Sequence, residues 1–178
     1  MIKYLKYTIS PITMLIAIYA ISLGAFGPTF FIIGYSLFMI LGDIFLGKDT
    51  SVNKYSYPFV LDIILYINLP LLLLFVLTVV LSFGITNPEN WLLSFYNNYL
   101  YLDINHIKDS IHIIDKIALI EITGLFIGIM GTIPGHELTH RKKRKFDMLI
   151  GNWLLGISWD CAFAIEHVYG HHKNVCLP

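Results

Sequence analysis

Gly131-Thr132-Ile133-Pro134-Gly135-His136-Glu137-Leu138-Thr139-His140-Arg141-Lys142-Lys143-Arg144-Lys145 is where an apolar run stops and a basic one begins. Upstream, residues 113–135 are long and apolar enough to cross a bilayer, which takes about 20 such residues. Downstream, the Arg and Lys residues at 141–145 mark a cytoplasmic end, because basic segments beside a span stay on that side. Between the two lie His136 and His140. Residues four apart share one face of a helix, so this pair can grip a single metal ion. Reading outward from this junction gives an all-α protein, an integral membrane helical bundle.

Composition agrees. Of 178 residues, 56% are hydrophobic and only 13% charged, with a mean hydropathy of +0.69. A soluble domain carries roughly 25% charged residues. The formal net charge is zero, so nothing draws the chain toward nucleic acid. Cys161 and Cys176 form no C-x-x-C pair and read as free thiols in a reducing compartment, Cys161 as a small buried apolar residue. The N-terminal apolar run outlasts the about 7–15 residues of a signal-peptide core and continues into further apolar sequence, which argues against a cleaved leader.

Four transmembrane helices are expected, over residues 9–26, 28–45, 58–83 and 113–135. Gly24, Gly27 and Pro28 break the first from the second. Gly124, Gly128 and Gly131 offer a neighbouring helix a close approach in the fourth. Counting back from the basic cluster puts the loop at 84–112 outside, and the loop at 46–57 (Lys48, Lys54) and the N-terminus (Lys3, Lys6) inside. The outer loop holds Trp91, Tyr96, Tyr99 and Tyr101, expected as an interfacial aromatic belt, and His106 and His112, expected as ordinary surface residues. Asp43, Asp62 and Glu121 fall within spans. Near a span end such acids serve as caps or reach the interface, although an intramembrane acid is often functional. No repeat or linker divides residues 1–178, which read as one membrane domain.

A second histidine group follows: Glu166-His167-Val168-Tyr169-Gly170-His171-His172. If both groups serve one centre, they lie on one side of the membrane. Only 26 residues separate His140 from His167, and two crossings need about 40. The apolar stretch 146–165 is therefore expected as an interfacial helix that returns the chain to the same cytoplasmic surface. Two chemistries fit. His136-Glu137-x-x-His140 has the form of a zinc metalloprotease, with Glu137 as general base and Glu166 as a third ligand. That reading leaves His167, His171 and His172 idle. A dinuclear site uses all five imidazoles: His167 and His171 are again four apart, and His172 sits about 100° further round the helix. Imidazoles with open positions suit iron that activates O2. Glu137 and Glu166 each adjoin a ligand and could orient imidazoles through N–H···carboxylate bonds. The basic cluster could dock an acidic electron carrier as well as set topology.

Gly135-His136-Glu137-Leu138-Thr139-His140-Arg141-Lys142 resembles the first histidine box of the membrane alkane 1-monooxygenases, in the fatty acid desaturase-like superfamily. Glu166-His167-Val168-Tyr169-Gly170-His171-His172 resembles their second box, and residues 173–178 resemble its continuation. The resemblance implies two non-haem iron ions held by His136, His140, His167, His171 and His172, with O2 as co-substrate. It also implies electrons from a rubredoxin-type donor on the cytoplasmic face. The implied reaction is hydroxylation of the terminal methyl of an n-alkane, an apolar small molecule drawn from membrane lipid, at the inner (plasma) membrane. Related diiron hydroxylases and desaturases, acting on aromatic methyl groups or acyl chains, share this pattern. Family members continue with further spans and a third set of histidines. Residues 1–178 are accordingly expected to be an N-terminal portion that lacks turnover by itself.

Overall fold

The computed structural model describes residues 2–46, 55–84 and 90–171. Among these every regular element is helical and none is a strand. After a short helical lead-in come α1 (Ile9–Ser22), α2 (Gly27–Leu46) and α3 (Pro58–Phe83). Two short helices follow: α4 (Trp91–Phe95), which runs on as a π-helical turn, and α5 (Ile104–Ser110). A long helix α6 covers Ile113–Thr139, with a π-helical stretch at Ile127–Thr132. Then come α7 (Lys145–Ile157) and a π-helical segment α8 (Ala164–His171).

Three helices are long and apolar enough to cross a membrane: α2, α3 and α6. The first expected span, residues 9–26, is shorter than its apolar run. Its helix stops at Ser22, because Gly24 (φ 73°) and Phe26 (φ 60°) turn the chain through the left-handed region. The apolar helical stretch there is Lys6–Ser22. The loop at 47–54, with Lys48 and Lys54, lies outside the described residues.

The chain divides into two compact units: Met1–Pro11, Tyr57–Leu73 and Gly124–Pro178 form one, and Ile12–Ser56 with Leu74–Thr123 the other. In the second, Met14, Phe75, Ile107, Leu119 and Ile122 are fully buried. Asp115, also fully buried, organises the turn between α1 and α2. Its carboxylate accepts from the backbone N–H of Phe26 (3.1 Å) and of His112 (2.9 Å) and from the Thr29 hydroxyl (2.6 Å). Trp91, Tyr99 and Tyr101 are exposed as an aromatic belt requires, but Tyr96 is core. Its hydroxyl reaches the Leu74 carbonyl at 3.3 Å, which satisfies the one polar atom that burial would strand. His106 and His112 are exposed here.

In the first unit, α3 continues through Pro70. Two residues earlier the Asn68 amide donates to the carbonyls of Ile64 (2.8 Å) and Leu65 (3.3 Å), and Ser10 donates to Asn68 (2.6 Å). The start of α3 and the end of α6 lie together, since Arg141 and Arg144 ion-pair with Asp62. Tyr57 donates its N–H to the Tyr4 hydroxyl at 2.9 Å. The segments expected on one side of the membrane therefore meet at one end of this unit.

The α6–α7 hairpin turns on two glycines. A Cβ on Gly135 would lie 3.1 Å from the Gly151 carbonyl oxygen and 2.9 Å from Leu155 Cγ. A Cβ on Gly151 would lie 3.0 Å from the Gly135 carbonyl oxygen. Gly124 and Gly128 meet nothing within 4 Å, so of the glycines expected to admit a neighbour only Gly131 does, against Leu72 Cδ2 at 3.1 Å. Among the described residues, then, one of the three expected glycine rungs meets a neighbour. Because the obstructing atoms at Gly135 include backbone, Gly135→Ala is expected to destabilise by about 1–3 kcal/mol. Gly124→Ala should be neutral. Thermal unfolding in detergent compares the two.

Candidate metal centre

The last turn of α6 carries His136 and ends at His140, where the chain leaves the helix. A tight turn follows, with Lys142 N–H on the His140 carbonyl (3.0 Å) and Arg144 N–H on the Arg141 carbonyl (2.9 Å). α7 then runs back along α6. The expected interfacial helix at 146–165 is not continuous: α7 ends at Ile157, and Trp159, at φ 62° and almost fully exposed, turns the chain into α8. Cys161 falls in this turn and is exposed, not buried as its apolar neighbours suggested.

α8 returns His167 to the first histidine group. The Nε2 atoms of His136 and His140 are 2.8 Å apart, and those of His136 and His167 are 2.9 Å apart. One ring nitrogen from each of the three lies within 4.8 Å of the others. A ring nitrogen has one in-plane lone pair or one N–H. His136 Nε2 therefore cannot make two good hydrogen bonds to two other ring nitrogens at once. Adjacent nitrogens bound at about 2.1 Å to one ion, at about a right angle, would sit about 3 Å apart. The spacing and the all-imidazole donor set fit a transition-metal ion.

His171 does not join this group. Its ring stacks on that of His167, with centroids 5.5 Å apart and planes 23° from parallel. The cause is the π-helical path of α8, which breaks the α-helical relation between positions four apart. His172 lies outside the described residues. Glu137 is exposed and pairs with Arg141 at 3.4 Å, one turn on. Glu166 is exposed.

Two supports were not read from the sequence. Phe163 stacks on His167 (centroids 4.6 Å) and meets the His136 ring edge-on (5.4 Å), which holds both rings in place. Its only signal was an aromatic residue four positions before His167. The second is an ionic network beneath the turn. Asp147, at the start of α7, is buried; it accepts from the Tyr66 hydroxyl (2.5 Å) and Arg141 Nη1 (3.2 Å) and lies 3.3 Å from Arg144 Nη1. Asp62 takes a second bond from each arginine. Burial works against the charge on Arg141, but its bonds to Asp62 and Asp147 outweigh it and raise the guanidinium above its ordinary value. Arg144 is raised chiefly by its bond to Asp62. Asp43 and Glu121 are exposed on their helices.

The chain is similar to an alkane 1-monooxygenase. It is 32% identical over 84 residues to Alkane 1-monooxygenase 2 of Alcanivorax borkumensis, a stretch that covers 47% of this chain and 20% of that protein. The chain thus spans about a fifth of that relative's length. No family model and no solved structure matches.

Removing the Asp147 carboxylate strands part of the network. Asp147→Ala is expected to cost about 3 kcal/mol, the low end for a broken buried pair, because Asp62 still neutralises Arg141. Denaturant unfolding of the purified protein measures it, and added salt should change the wild-type value little, since Asp147 is out of contact with solvent.

Proposed function

We propose that His136, His140 and His167 hold an iron ion and that the protein works as a membrane monooxygenase. Its reaction is the hydroxylation of the terminal methyl of an n-alkane. The convergence of three imidazole nitrogens at the end of a helix long and apolar enough to span a bilayer carries the reading. The similarity to an alkane 1-monooxygenase supports it. Bound iron supplies the redox chemistry that activates O2 toward an unactivated C–H bond. His171 and His172 are proposed as donors to a second iron.

The chain's own residues supply the rest. Phe163 packs on the rings of His167 and His136 and holds them in place. An apolar groove of about 450 Å³, lined by Leu73, Leu149, Asn152, Trp153, Gly156 and Ile157, has the size and character of a site for a small apolar substrate. Arg141 and Arg144 are engaged in the ionic network, and Lys142 reaches the Val168 carbonyl, whereas Lys143 and Lys145 are exposed outside these contacts. They are proposed to meet an acidic, rubredoxin-type electron donor on the cytoplasmic face of the inner membrane.

The zinc-peptidase reading would use Glu166 as third ligand, whereas the third donor brought to His136 and His140 is His167. Metal analysis separates the two. Protein purified in detergent and loaded anaerobically with Fe(II) should retain iron, and His136→Ala, His140→Ala and His167→Ala should each lose most of it. Glu137→Gln should retain it. The open reading frame that contains these residues, expressed in membranes with reduced rubredoxin, should give the 1-alkanol from an n-alkane, and His136→Ala should abolish the product. Tight zinc with a peptidase activity lost in Glu137→Gln would contradict the proposal.

A further inference from the structure

Lys142 stands two residues after His140, and its ammonium reaches across to α8. Nζ donates to the Val168 carbonyl at 3.0 Å and lies over the Tyr169 ring, 4.6 Å from its centroid. Val168 and Tyr169 directly follow His167. Val168 lies on α8 (Ala164–His171), the helix that carries His167. The ring contact adds a cation–π attraction on the same ammonium. A long side chain from the turn after the first histidine group therefore fastens the helix that carries the second.

We propose that Lys142 is a positioning residue: it caps the Val168 carbonyl, fastening α8 to the turn after His140, and thereby holds His167 in register with His136 and His140, so that the three nitrogens are in place before an ion arrives. Topology alone would be served by any basic residue in the cluster. The contact to α8 is made by Lys142, while Arg141 and Arg144 point to Asp62 and Asp147. A preformed site binds more tightly because less ordering remains to be done on binding. The consequence for metal rests on the metal reading above, whereas the cap itself does not.

The test uses the full chain in detergent, with two readouts. The first is amide hydrogen exchange over residues 164–171 in metal-free protein. Lys142→Met, which keeps the stem and loses the charge, should speed exchange there and leave α3 unchanged. The second is Co(II) titration followed by its visible absorption. Lys142→Met should weaken cobalt binding about tenfold, as loss of a group supporting a ligand commonly does. Lys142→Arg, which can make both contacts, should recover most of the affinity. Unchanged exchange in Lys142→Met would overturn the cap. Faster exchange with unchanged cobalt affinity would overturn the positioning role. A parent chain that takes up no cobalt would overturn the metal reading and the positioning role together, while exchange would still judge the cap.

Discussion

Where Gly135 on α6 meets Gly151 on α7, each backbone carbonyl lies within about one atom's reach of the other glycine's missing side chain. The rest of the site depends on this contact. Twenty-six residues must carry the chain from His140 back to His167, and they cannot cross a bilayer twice. They turn instead within five residues, run back along α6 as α7, and turn again at Trp159. Without hydrophobic attraction between helices in lipid, close approach and van der Waals contact hold such a hairpin, and glycine is the residue that permits it.

The basic cluster has a second use beyond topology. Arg141 and Arg144 bind Asp62 of α3 and Asp147 of α7, so the turn that begins at His140 is fixed to two other helices. Tyr66 completes the bonding of Asp147. A buried pair of this kind gives little net stability over an apolar alternative. What it supplies is geometry: one end of the unit is anchored where His136 and His140 leave the membrane helix, and Phe163 then packs the rings of His136 and His167.

Long-range composition made much of this legible. Residues 58–83 form one helix with the expected ends, because an apolar run bounded by polar turns leaves few alternatives. The pairing of His136 with His140 and the return of His167 also followed from spacing and from the limit on crossings. Boundaries were less legible. The fourth span runs on to Thr139, since helices end where hydrogen bonding fails and not where hydropathy changes. The first stops at Ser22 because two residues adopt positive φ. The π-helical turn of α8, which sets His171 aside, leaves no mark in residue types. Nor do the partners of Asp62 and Asp147, far apart in sequence and brought together only by packing.

The central claim is that both histidine groups meet on one side of the membrane. Cysteine labelling in sealed inner-membrane vesicles of known orientation tests it directly. In a background with Cys161→Ser and Cys176→Ser, single Lys143→Cys and Glu166→Cys variants are treated with a membrane-impermeant maleimide. Both should be modified from the cytoplasmic side and neither from the other. Modification of the two positions from opposite sides would mean that the chain crosses between the histidine groups, and no shared metal site could then exist.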